Sequence, residues 1–338
     1  TDLGETEWTP EEFDTVYSEF AERGETITRI YPMLPMQEGM LYAHESNPDA
    51  WQYRLVNIYE LDVLPKEEQL SAALKRLGEK HEVLRSAIIY DGVKQARQAI
   101  IERKLPVFME DFSDREDKEG AVYALREKIL SENYDLQKKP LFQLYCVKKS
   151  DNSCYLLTAT HHIIVDGYSA EILLEEFEAI YNGEELPEVT LQYRDYAAWL
   201  EQKDIAKQEA FWTRMYEEEL PDEDLPLDRK RTEQQDHKGD LVSRKVQKFE
   251  LKKVEEFCNK HEITPYVFFT SAVTALLGRM YDSEDVTVGT PVETLPPEET
   301  ASFTAFAASR FTACSADFIS ESNNPIFLVL LDKSEIHK

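Results

Sequence analysis

Two adjacent imidazoles, His161 and His162, close an apolar run and lead straight into Ile163-Ile164-Val165-Asp166-Gly167. Imidazole changes charge near neutral pH, so a histidine facing a cleft can take a proton from an attacking nucleophile. Strand side chains alternate, so neighbouring histidines at a strand end face opposite ways, one toward a cavity and one into packing. The Asp-Gly pair ends the strand and turns the chain into a helix over the same end. Gly167 suits a tight turn at this point.

Other chemistries lack their residues. The remaining histidines, His44, His81, His237, His261 and His337, fall into no ligand spacing with the pair, and His81-Glu82 lacks the second histidine of HExxH, so no metal site is expected. There is no GxSxG elbow, no Walker A loop and no GxGxxG run. Cys146, Cys154, Cys258 and Cys314 form no CxxC pair, which argues against a disulfide framework and fits a reducing cytoplasm. A formal net charge of -28 repels phosphate backbones and anionic lipid, making nucleic acid and membrane surfaces poor partners. The apolar runs are too short to cross a bilayer, and Thr1–Glu5 carries no signal-peptide pattern.

The elements that must position the histidines follow from patterning. Residues 1–28 read as an acidic linker helix, with Thr9 and Glu12 as a capping box, Pro10 in the first turn and Phe13, Val16, Tyr17 and Phe20 as its stripe. Residues 31–40 read as a loop entering a helix, Arg54–Leu61 as a strand, and Pro65 as the start of a helix bearing Leu70, Leu74 and Leu77. Ser86–Tyr90 predicts a strand and residues 119–133 a helix. Leu141–Val147 and Cys154–Ile164 predict two strands joined by a turn at 149–153. Ser169 is placed to cap the next helix, which Gly183 stops. Leu220–Gly239 reads as a surface loop, Ser243–Phe249 as a strand, Val254–His261 as a helix, and Thr264-Pro265 as the cap of a helix bearing Val267, Phe268, Ala272 and Leu276. Asp285–Gly289 predicts a further strand. Interleaved strands and helices over two stretches make a mixed α/β fold of two lobes, at 29–183 and 193–338, with a connector at 184–192.

His161–Gly167 matches the HHxxxDG signature of condensation domains from non-ribosomal peptide synthetases. Other segments fall in that family's order. Leu34–Leu41 resembles its first motif, Lys80–Ser86 its RHExLR motif, Tyr193–Trp199 its YxDFAxW motif, and Val288–Val292 the turn before a late FVNT motif. The resemblance implies a chloramphenicol acetyltransferase-like fold of two lobes. Its activity is formation of an amide bond between a donor acyl or peptidyl thioester and an acceptor aminoacyl thioester. No cofactor binds directly, because substrates arrive on phosphopantetheine arms. The implied partners are upstream and downstream carrier domains and a neighbouring adenylation domain, around a monomer.

By the same resemblance His162 is the catalytic imidazole, as general base or as the group that positions the amine or stabilises the tetrahedral intermediate. Gly167 contributes to catalysis, His161 is structural, and Asp166 forms a buried pair with Arg85. An epimerisation domain shares the double histidine, and a degenerate domain would dock carriers without chemistry. A free-standing acyltransferase is the remaining alternative. After residue 292 the chain departs from the family pattern, so the second lobe is expected to be partial or divergent.

Overall fold

The computed structural model describes residues 8–47, 53–132, 134–202, 204, 206–215, 247–282, 286, 288–289 and 328–329. The chain divides into two compact units, Thr1–Lys203 and Asp204–Lys338. In chain order the first carries α1 (Pro10–Glu22), β1 (Thr26–Pro32), α2 (Pro35–Ser46), β2 (Arg54–Leu61), α3 (Glu67–Lys80), a 3-10 turn (Glu82–Arg85), β3 (Ser86–Ile89), β4 (Arg97–Glu102) and β5 (Val107–Asp111). It continues with α4 (Lys118–Ser131), β6 (Phe142–Ser150), β7 (Ser153–His161), α5 (Gly167–Tyr181) and α6 (Tyr193–Glu201).

The first helix forms as its cap dictates. Thr9 Oγ1 accepts from the Glu12 N–H at 3.3 Å, and Glu12 Oε2 accepts from the Thr9 N–H at 2.6 Å. Read as a linker, α1 instead belongs to the core: Val16 and Phe20 are buried with Ile27, Ile30, Ala87, Ile89, Ala99 and Ile101. Those residues come from an antiparallel sheet of order β1-β4-β3. Neither β1 nor β4 shows in the sequence pattern. A register shift between Ile27 and Arg29 breaks the alternation of β1. Arg97 to Ile101 of β4 are all buried, so β4 has no polar face to alternate with.

The second sheet has the order β2-β7-β6-β5, with β5 parallel to β6 and the other pairs antiparallel. Alternation along β7 assigns its two faces. Cys154 and Leu156 pack with Leu74 and Leu77 of α3 and with Leu173 and Phe177 of α5. Tyr155, Leu157 and Ala159 pack with Val122, Ile129 and Leu130 of α4. The sheet is therefore sandwiched, and the end of β7 is fixed from both sides before any loop is added.

The sequence reading starts the second lobe at 193, whereas α6 lies in the first unit. Its Ala197 is fully buried against Tyr31, Leu34 and Ile100, with Tyr193, Tyr196 and Leu200 alongside.

The second unit contains α7 (Ala206–Met215), α8 (Lys248–His261), α9 (Pro265–Tyr281), and an antiparallel pair of β8 (Val288–Gly289) with β9 (Leu328–Val329). Lys248 and Phe249, expected to end a strand, belong to α8; Gln247 and Glu250 make a capping box there that overrides the local alternation. Thr264 caps α9 by accepting from the Val267 N–H at 3.2 Å. Val267, Ala272 and Leu276 of α9 are exposed. The loop at 220–239 and the stretch 300–318 lie outside the described residues. Among the described residues no helix is long and apolar enough to cross a membrane.

Candidate active site

His161 is the last residue of β7, opposite Arg54 of β2, and its N–H donates to the Leu141 carbonyl at 3.2 Å. The next N–H, from His162, donates to the Tyr53 carbonyl at 2.7 Å, so both histidine backbones are pinned before the chain turns. The turn then wraps around the rings. Ile163 donates its N–H to His161 Nδ1 at 3.1 Å, and Ile164 donates to the His161 carbonyl at 3.1 Å. Nδ1 of His162 lies 3.1 Å from the Val165 carbonyl.

These contacts set opposite tautomers. A backbone N–H must find a lone pair, so Nδ1 of His161 is bare. A carbonyl only accepts, so Nδ1 of His162 carries the proton and its lone pair is at Nε2. His161 is 2% exposed, and burial, then His44, His162 and Arg54, push it well below the usual imidazole range. It is a neutral packing residue, edge-on to His44 with ring centroids 6.3 Å apart. His162 is half-buried. Of the two histidines, His162 is the more exposed.

Asp166 and Gly167 share this loop with the histidines, but Arg85 does not join them. The expected buried Asp166–Arg85 pair does not form: Asp166 is exposed, and its Oδ1 accepts from the Ser169 N–H at 2.7 Å as the N-cap of α5. Asp166 therefore does the capping expected of Ser169. Arg85 instead donates to the carbonyls of Gly78 at 2.8 Å and Ile101 at 3.4 Å, tying α3 to β4. Gly167 is the first residue of α5. Among the described residues no three His, Cys, Asp or Glu side chains gather as a metal set.

The motif around His81 is held by residues that sequence reasoning did not single out. Glu176 of α5 pairs with Lys80 Nζ at 2.8 Å and with His81 Nε2. Arg194 of α6 pairs with the buried Glu82, and Gln192 Nε2 donates to the Lys80 carbonyl at 2.9 Å. Burial alone would raise the Glu176 carboxyl, but the Lys80 and His81 hydrogen bonds outweigh it and hold the group below the ordinary carboxylate range. A lowered folded value means that this stabilisation is full above about pH 5.5, a unit above the unfolded value, and is lost as pH falls through the folded value. Glu176→Gln is thus expected to cost about 1 kcal/mol at pH 7. Urea midpoints at pH 7 and pH 3 check this: the deficit against wild type should close at the lower pH.

Buried amides are the other omission. Gln37, in the Leu34–Leu41 segment, donates to the Ile163 carbonyl of the histidine loop at 2.8 Å and to Gln98 Oε1 at 2.6 Å. Gln98 in turn donates to Tyr31 Oη and Ser86 Oγ at 2.8 and 2.9 Å. A glutamine within a motif was the available signal, but its partner lies 61 residues away.

The family model of the condensation domain matches residues 27–302. A plipastatin synthase polypeptide of Bacillus subtilis (strain 168) is 32% identical over 285 residues, covering 82% of this chain and 11% of that protein. The chain thus spans about a tenth of the length of such curated relatives. A four-domain non-ribosomal peptide synthetase, holo-AB3403, superimposes with a TM-score of 0.70 at 19% identity, over 82% of this chain and 21% of that one. The epimerization domain from the third module of tyrocidine synthetase B gives 0.68 at 18% identity, over 77% and 60%. Both likenesses support the mixed helix-and-sheet, chloramphenicol acetyltransferase-like fold expected from the motifs.

Proposed function

Because this chain belongs to the condensation-domain family, we propose that it forms amide bonds between thioesters delivered on carrier proteins. The donor is an acyl or peptidyl thioester and the acceptor an aminoacyl thioester, each on a phosphopantetheine arm. The acceptor amine attacks the donor carbonyl, its excess proton leaves to His162 Nε2, and the tetrahedral adduct collapses by expelling the donor thiolate, which is then protonated. Upstream and downstream carrier domains and a neighbouring adenylation domain are the partners, in the cytoplasm, with the chain acting as a monomer and no directly bound cofactor.

One observation supports this reading above the others: the ring of His162 is tethered through Nδ1 to the Val165 carbonyl, which leaves Nε2 as the basic nitrogen on a half-buried side chain. Gly167 opens α5, where its N–H is one of the unpaired helix N-terminal donors that favour developing negative charge.

The test is a mixture of the protein with aminoacyl-loaded donor and acceptor carrier domains, followed by mass spectrometry of the acceptor arm. Dipeptidyl thioester is the expected product. Carrier binding without product would instead favour a docking domain, and exchange of the α-proton alone would favour epimerisation. Turnover of a small soluble thioester in place of the loaded donor carrier would favour a free-standing acyltransferase.

A further inference from the structure

We propose that Gln37 is a positioning residue that sets the tautomer and aim of His162, an inference resting on the amide-forming reading. Gln37 is 2% exposed. Its Oε1 accepts from the Leu34 N–H at 3.0 Å, which closes the first turn of α2. A glutamate would serve that cap equally well, since capping boxes use either residue. Only an amide, however, also has two N–H groups to give, and both are engaged: one meets the Ile163 carbonyl and the other Gln98 Oε1. The choice of glutamine is therefore explained by its donors.

The receiving carbonyl belongs to the residue that follows His162, inside the turn whose far end, at Val165, fixes the imidazole. Turning the Ile163 peptide plane would break the Gln37 bond and carry the Val165 carbonyl away from Nδ1. Gln98 anchors the other side. It is 0% exposed, and its own N–H groups are engaged by Tyr31 and Ser86 of the β1-β4-β3 sheet. A fully satisfied pair of amides thus runs from that sheet to the histidine loop, in a place where water cannot substitute for either member.

The test uses the full chain with 15N-labelled histidine and reads the imidazole nitrogen shifts of His162, assigned by their loss in His162→Ala. Wild type is expected to show a single Nδ1–H tautomer, whereas Gln37→Leu and Gln37→Glu show a mixture. In the carrier-protein assay both variants should lose about 10- to 100-fold in kcat, the scale of a small misplacement of a reacting group, with KM for the acceptor carrier little changed. The Gln37→Glu rate, relative to wild type, should recover as pH falls and the carboxyl regains a proton to donate. Gln98→Leu, which disturbs the same core but leaves the Ile163 carbonyl paired, should keep the single tautomer.

A single Nδ1–H tautomer in both Gln37 variants would overturn the proposal. So would losses of kcat that match Gln98→Leu at equal loss of melting temperature. Gln37→Glu is nearly isosteric and remains informative if Gln37→Leu does not fold. The nitrogen shifts report on the loop even if wild type makes no amide, so failure of the functional reading and failure of this one are separable.

Discussion

His162→Ala should lower the rate of dipeptidyl thioester formation by about 10²- to 10⁴-fold, the usual contribution of a positioned general base. The folded state should survive the change, because the residue is half-buried and the loop is held by bonds that the His162 ring does not make, from His162 N–H to the Tyr53 carbonyl, Ile163 N–H to His161 Nδ1 and Ile164 N–H to the His161 carbonyl. Single-turnover rates with preloaded carriers, compared with carrier affinity measured separately, isolate the chemical step. The expected pattern is a fall in rate at constant affinity. Product formed at close to the wild-type rate would remove His162 from the chemistry and leave the loop as scaffold.

The imidazole pair was legible because its message is local. Two histidines at a strand end followed by Asp-Gly state a strand, a turn and a helix within seven residues, and β7, the turn and α5 follow that order. The capping box of α1 and the hairpin of β6 and β7 were legible for the same reason. What failed was long-range. Asp166 and Arg85 each had the charge for an ion pair, but which partner a side chain meets depends on tertiary placement, and cheaper backbone partners were nearer: Ser169 N–H for one, the Gly78 and Ile101 carbonyls for the other. That α6 packs on Tyr31, Leu34 and Ile100 could not be read either, because an amphipathic stripe names a buried face without naming what buries it. Gln37 and Gln98 were invisible as a pair, since neither residue alone signals a partner in another sheet.

Arg54→Met is expected to destabilise the first unit by about 3 kcal/mol, the scale of losing hydrogen bonds from a charged donor, which are individually worth about 1.5–3 kcal/mol and not additive. Arg54 is 9% exposed, yet its partners are carbonyl oxygens. It donates to Ile129, Leu130 and Glu132, at and just beyond the last turn of α4, and stacks over the Tyr134 ring with its carbon 4.5 Å from the centroid. Those carbonyls are the ones a helix end leaves unpaired, and they carry the negative end of its dipole. Burial lowers the pKa of Arg54, but arginine still stays charged. Methionine keeps much of the volume and leaves the carbonyls without donors. Arg54→Lys should recover little, because one ammonium cannot span three acceptors as a planar fork does. Urea unfolding with an unchanged m-value checks the size of the effect, and a loss below about 0.5 kcal/mol, ordinary for a surface change, would show that water replaces the guanidinium. The same cation faces His161 across the β2–β7 register and helps to keep that ring neutral. In Arg54→Met the His161 imidazole should accordingly protonate more readily as pH falls, and a protonated ring between His44 and Tyr53 would loosen the strand end from which His162 is aimed.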